Sequence, residues 1–237
     1  MKISIHQPNF LPWEGYFWKI LRSDIFVILD NVPFSKGSYT NRTKLLVGPH
    51  RAKWLTLPVS SHHDTRINEV LLTEVDWHRT HREKLESYYR MSPHLNDVLP
   101  ILEPVEHDGK PPILSEVNYT LVGRVCGVLG LDPQIVRASE VKIPPHLVGQ
   151  ERLIALINEL APGSTYLSGQ GGAKYQDAAT YAERGITLEY SSYNQSPYMQ
   201  LGHESLDDFL PGLSIIDTAM AVGWDEVRRR LTDVGKS

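Results

Sequence analysis

The sequence predicts an α/β fold with a mostly parallel, Rossmann-like sheet, helices on both faces and a helical insertion in the middle. Three observations carry this. The chain opens as strand, loop, helix and strand, since Lys2–Ile5 and the β-branched, aromatic run Ile25–Leu29 flank a helix-like segment. The same alternation of short apolar runs and helical periods returns after Pro133. Between the two stretches helical periodicity dominates, as an insertion into a parallel sheet would require.

Lys2–Ile5 reads as a buried strand, and His6 to Glu14 as a loop held by Pro8 and Pro12, with a helix over Gly15–Arg22. Ile25–Leu29 has the length and continuous apolarity of a central strand. Trp54–Val59 and Ile67–Leu72 read as strands around the polar Ser60-Ser61-His62-His63-Asp64. Asp76 is placed to cap a helix over Trp77–Arg90, which Pro93 ends. Pro100–Pro112, with Gly109-Lys110, reads as a linker, and Leu114–Leu129 as a helix closed by Gly130 and Pro133. Strand Gln134–Arg137, helix Gln150–Leu160, strand Ser164–Leu167, helix Lys174–Glu183 and strand Ile186–Tyr190 follow. One helix starts near Ser214 and another covers Trp224–Leu231, where Trp224, Val227 and Leu231 suit either internal packing or a second subunit. The organisation expected is 1–92 and 133–237 as two parts of one α/β core, with the last helices in the second part and 93–132 as the helical insertion.

The 237 residues carry 24 Lys+Arg against 28 Asp+Glu, a formal charge of −4, which argues against a nucleic-acid binder. A hydrophobic share of 41% and a charged share of 22% fit an ordinary globular chain. The single cysteine, Cys126, excludes a disulfide framework and any multi-cysteine metal centre. No apolar run approaches the roughly 20 residues of a membrane span, and no signal-peptide pattern opens the chain, so no membrane insertion and a cytoplasmic setting are expected.

The loop His6-Gln7-Pro8-Asn9-Phe10-Leu11-Pro12-Trp13 leaves the carboxyl end of the first strand, where open α/β sheets bind ligands. Its prolines hold one shape while His6, Gln7 and Asn9 offer hydrogen bonds and Trp13 a pocket wall; the bland reading makes His6 a strand cap and Trp13 core. Asp30 ends the second strand and could orient His6 as a general base if the two strands are neighbours. Lys36, Asn41 and Arg42 follow, the cations suiting a phosphate or carboxylate; an Asp–Asn turn with two solvated cations accounts for them equally well. Ser168-Gly169-Gln170-Gly171-Gly172, between a strand and a helix, could present backbone N–H groups and a helix end to an anion, or be a plain glycine turn. Tyr190–Gln200 is rich in aromatics and amides, Tyr198 and Gln200 among them, a composition that suits a sugar or nucleobase.

Three features read as structure. His78 and His81 share a helix face without completing a zinc spacing, so no metal site is expected. Cys126 sits in an apolar helix, and Ser214-Ile215-Ile216-Asp217 matches a capping box.

The block His6 to Trp13, with Gly15-Tyr16-Phe17, Lys19-Ile20, Ser23-Asp24, Asp30, Phe34-Ser35-Lys36 and Asn41-Arg42, resembles the opening of the WbqC-like proteins. Tyr166-Leu167-Ser168-Gly169, Tyr198, Gln200 and Leu213-Ser214-Ile215-Ile216-Asp217 resemble that family's later blocks. The resemblance covers most of the chain and implies a bacterial surface-polysaccharide (O-antigen) or natural-product biosynthetic setting. More distantly, Trp13-Glu14-Gly15-Tyr16 is similar in position to the H-x-G-H motif of pantothenate-synthetase-type nucleotidylyltransferases, but Trp and Tyr lack the imidazoles that such phosphoryl chemistry uses.

The function expected is acyl or aminoacyl transfer to an amino group on an activated small molecule, such as a nucleotide-linked amino sugar, without a cofactor. His6 serves as base and Asp30 orients it. Gln7, Asn9, Trp13, Lys36, Asn41, Arg42, Ser168, Gly169, Gly171, Gly172, Tyr198 and Gln200 form the substrate site. A carrier protein or a biosynthetic partner enzyme could deliver the donor. Nucleotidyl transfer, with magnesium and pyrophosphate release, and a non-catalytic accessory subunit are the competing classes.

Overall fold

The computed structural model describes residues 1–107 and 109–233. The chain begins with β1 (Lys2–His6), α1 (Glu14–Leu21), β2 (Ile25–Ile28), β3 (Arg42–Leu46), β4 (Ala52–Thr56), β5 (Val59–Ser60) and β6 (Leu71–Leu72). Next come α2 (Trp77–Tyr88), α3 (Leu95–Val98), α4 (Leu114–Val128), β7 (Gln134–Arg137) and α5 (Gly149–Leu160). The last elements are β8 (Thr165–Ser168), α6 (Ala178–Glu183), β9 (Thr187–Tyr190), α7 (Ile215–Val222) and α8 (Trp224–Asp233).

Five strands form one all-parallel sheet in the order β7-β2-β1-β8-β9. The chain starts at the centre, winds outward through β2 to β7, then returns through α5 to build β8 and β9 on the other side. The winding direction reverses between β1 and β8, which is the ligand-binding position of such sheets.

Side-chain alternation divides the core into two layers. Ile3, Ile5, Ile25, Val27 and Tyr166 face Leu153, Ile154, Leu156 and Ile157 of α5 and Tyr181 of α6. Phe26, Ile28 and Leu167 face the other way, onto Phe17 and Ile20 of α1 and, through a larger cluster, α4, α7 and α8. Each fully buried aliphatic or aromatic side chain here contributes about 1.5–3 kcal/mol of transfer free energy. The same alternation puts Ser4 and His6 of β1 on the α1 side.

Several expected elements differ. β3 went unrecognised, since Arg42-Thr43-Lys44 hides its alternation; it pairs antiparallel with β4, Thr43 opposite Leu55. The strand expected over Trp54–Val59 breaks at Leu57-Pro58, and only Leu71–Leu72 of the expected Ile67–Leu72 is strand, since Ile67–Glu69 coils as a 3-10 turn. Asp76 precedes α2 without a side-chain cap bond. Leu99–Leu102 is another 3-10 turn that buries Ile101 and Leu102, so the expected linker is extended only from Glu103, and its Asp108 lies outside the described residues. The helix expected over Lys174–Glu183 starts at Ala178, because Asp177 accepts the N–H groups of Ala179 and Thr180. Val227 and Leu231 are buried inside the chain, and Trp224 Nε1 donates to the Asp97 carbonyl at 3.2 Å, so that face packs internally. No helix among the described residues is long and apolar enough to cross a membrane.

Candidate functional site

β1 and β2 stay in register over four residue pairs, whereas β1 and β8 pair only at Lys2–Thr165 and Ile3–Tyr166. Ser4 Oγ donates to the Leu167 carbonyl at 3.1 Å where that ladder stops. Beyond it the two strands part, and a crevice opens between His6 and Ser168. Two cavities share His6, Lys19, Gly169 and Gly171 as walls. One, of about 360 Å³, extends past Gln7, Ser168 and Gly172 to Leu153, Tyr166 and Tyr175. The other, of about 320 Å³, extends to Trp13, Gly15, Ser191 and Tyr193.

His6 lies at the end of β1 with Nδ1 3.0 Å from the Gln7 carbonyl oxygen. A carbonyl can only accept, so Nδ1 carries the proton and Nε2 holds the free lone pair. Burial, then the nearby Lys19 charge, lowers its pKa from 6.5 to about 4, against the raising effect of the Gln7 bond. The imidazole is therefore neutral at pH 7. Tyr16 packs edge-on against it, ring centroids 4.8 Å apart.

Lys19 of α1 belongs to the walls of both cavities. It is 4% exposed, and its Nζ has no hydrogen-bond partner among the described residues. Burial lowers its pKa from 10.5 to about 8, so the ammonium is charged at pH 7. The sequence reading missed this residue as part of the site. Its signal was a cation inside the apolar run Phe17-Trp18-Lys19-Ile20-Leu21 of a helix that must pack on a sheet.

The glycine-rich segment faces them. A Cβ on Gly169 or Gly171 would meet no atom within 4 Å, so backbone borders open space there. A Cβ on Gly172 would come within 2.5 Å of Ser168 Oγ and Gln176 Oε1, so those side chains pack directly against the glycine. Residues Gln170–Lys174 coil as a 3-10 turn. The expectation that a helix end faces an anion here is corrected, since Asp177 already occupies the start of α6.

The Trp13 side of the crevice is braced from the far end of the chain. Glu14, fully buried, pairs with Arg230 of α8 at 2.9 Å and accepts the Tyr193 hydroxyl at 2.7 Å. Tyr193 packs edge-on against Trp13, centroids 5.4 Å apart. Trp13 lies so close over α1 that a Cβ on Gly15 would fall 2.4 Å from its ring.

The structure thus brings together His6, Gln7 and Trp13 with Ser168, Gly169, Gly171 and Gly172. Other expected site residues lie elsewhere. Asp30 accepts the N–H of Ser139 at 2.9 Å and its hydroxyl at 2.6 Å, so its carboxylate turns toward β7 and away from His6. Asn9 is half-buried and lines neither cavity. Lys36 is exposed. Asn41 is buried, accepting from Gly37 N–H and donating to the Leu57 carbonyl. The Arg42 guanidinium stacks 4.0 Å over the Trp54 ring. Gln200 makes a reciprocal pair with the Leu210 backbone, both bonds at 2.9 Å.

Tyr198 donates to Asp217 at 3.0 Å, as Tyr89 does at 2.7 Å and the Leu46 N–H at 2.9 Å. This corrects the capping-box reading. Ser214 Oγ does accept from Ile216 N–H, but the Asp217 carboxylate turns inward to those three donors, and burial raises its pKa. His81 is a core residue whose Nδ1 donates to the Trp77 carbonyl at 2.7 Å. Cys126 is buried, its thiol pKa pushed up to about 12 by burial.

A family model described as the WbqC-like protein family matches residues 7–229. The chain is 27% identical over 225 residues to a protein of Mycobacterium tuberculosis described as Uncharacterized protein Rv1507c, a match spanning 94% of each chain. No solved structure matches the chain.

Proposed function

The chain belongs to the WbqC-like protein family, and from that premise we propose a biosynthetic transferase that moves an acyl or aminoacyl group onto an amine of a small, activated substrate. The family resemblance implies a bacterial surface-polysaccharide or natural-product setting, and a nucleotide-linked amino sugar is the acceptor proposed. The observation that carries the reading is the neutral imidazole of His6, its Nε2 lone pair free, at the parting of β1 and β8.

The amine nitrogen attacks the acyl carbon, the new N–C bond forms, and the bond to the donor's leaving group breaks with its electron pair. His6 Nε2 takes the proton released from nitrogen and returns it to the leaving group. Burial, and after it the Lys19 charge beside it, keep the imidazole from holding a proton at rest. Gln7 fixes the tautomer through its carbonyl, while Trp13, Ser168 and the glycines shape the walls. Asp30 supports this chemistry from a distance, by tying the end of β2 to Ser139.

His6→Gln keeps the side-chain volume and removes the base. With an acyl donor and amino-sugar acceptors, turnover by this variant is expected to fall about 10²–10⁴-fold. Unchanged turnover would assign the base elsewhere.

A further inference from the structure

The crevice holds a charge that nothing in the described chain neutralises. Lys19 is 4% exposed, its Nζ has no partner, and it belongs to the walls of both cavities. Neither lining contains an Asp or Glu. A buried ammonium left unpaired is costly, and an anion in the crevice is the group that relieves it. Gly169 and Gly171 border the same shared region with open space over their α-carbons, so bulky oxygens can approach the backbone there.

The position of this charge narrows the chemistry of the anion. It lies where the two cavities meet, with rings beyond it on both sides: Trp13 and Tyr193 in one, Tyr166 and Tyr175 in the other. A carboxylate ends a molecule, whereas a phosphodiester or diphosphate carries its charge in the middle of one. We propose that Lys19 is an anion-binding residue, and that the crevice takes a two-part ligand of the nucleoside-diphosphate class with its phosphates at the Lys19 ammonium. The nucleoside lies in one cavity against its aromatic side chains, and the group attached to the outer phosphate lies in the other. His6, common to both cavities, stands beside that junction. The inference rests on the reading of this crevice as the substrate site and names its ligand class.

The test is calorimetric titration of wild type, Lys19→Met and Lys84→Met with UDP, ADP, inorganic pyrophosphate and the bare nucleosides. Nucleoside diphosphates are expected to bind wild type, with Lys19→Met weaker by roughly tenfold or more. Lys84→Met removes an exposed lysine that lines neither cavity and should bind them as wild type does; binding is read without turnover, so a catalytic reading that fails for lack of turnover leaves this result standing. A second measurement needs no variant to fold: on wild type labelled with 13C-lysine, the ε-carbon signal of Lys19 should move as diphosphate is added. Equal diphosphate affinity in folded Lys19→Met, bare nucleosides binding as tightly as their diphosphates, or an unmoved Lys19 signal at high diphosphate would each overturn the proposal.

Discussion

Lys19 shows what a single residue contributes against stability. Its shift from 10.5 to about 8 means that the folded chain bears a cost on the order of 3 kcal/mol at neutral pH for keeping this ammonium charged and buried. Lys19→Met keeps the apolar stem and drops the charge, so its urea midpoint at pH 7 should exceed that of wild type. The unfolded chain holds the lysine proton up to about 10.5 while the folded chain releases it near 8, so wild-type stability rises across that window. The advantage of Lys19→Met should therefore shrink between pH 8 and 10.5, and denaturation at pH 7 and 10 checks it. His6 behaves in the same sense at lower pH. Above 6.5 it is neutral in both states; between 6.5 and about 4 only the unfolded chain takes up a proton, so wild type loses stability there that His6→Gln retains. A denaturation series from pH 7 to 4.5 on both proteins reads that difference. His6 was legible in the sequence because it stands at the carboxyl end of a strand. Lys19 was not, because its meaning depends on what α1 packs against.

At the scale of elements, the loop between β1 and α1 is positioned by α4, which lies more than a hundred residues along the chain. Asn118, fully buried, donates from Nδ2 to the Pro8 carbonyl at 2.9 Å and to the Thr40 carbonyl at 2.8 Å. Phe10 N–H donates to the Tyr39 carbonyl at 2.9 Å, and Thr43 Oγ1 to that of Leu11 at 3.0 Å, so the loop is held along its length. Asn118→Leu strands two buried carbonyls, and a loss of about 2–4 kcal/mol in chemical denaturation is expected. The strand, helix and strand at each end of the chain were readable because short apolar runs and helical periods are local signals. β3 escaped because the Arg42 guanidinium and the Lys44 ammonium lie over the Trp54 ring, so charged residues stand in a strand where alternation alone expects a polar loop.

Across the whole molecule, the crevice depends on contacts between opposite ends of the sequence. Glu14 at the start of α1 is fully buried, and its charge is balanced by Arg230 of α8, whose guanidinium also lies 4.8 Å from the Tyr198 ring. Arg230→Met leaves that carboxylate uncompensated and should cost about 3–5 kcal/mol, whereas adding Glu14→Gln should recover part of the loss. A double-mutant cycle in urea measures the coupling. If the two substitutions simply add, the pair is not the latch between α1 and α8.

The sequence by itself determined the α/β class and the parallel sheet, and it placed the His6–Trp13 loop at a strand's carboxyl end, because period, prolines and strand ends are written over a few neighbouring residues. Tertiary structure decided which functional groups meet. Asp30 sits one strand from His6, as the sequence order suggested, yet Ser139, in the 3-10 turn after the neighbouring β7, captures its carboxylate. Tyr198, Gln200 and Asp217 carry the residue types of a polar site and spend them on the interior. Lys19, a lone cation in an apolar helix, gains its role when β1 and β8 part above it. Hydrogen-bonding groups look alike in a sequence whether they serve a ligand or a buried backbone group. Only packing, which fixes each group's neighbours and its access to water, distinguishes the two.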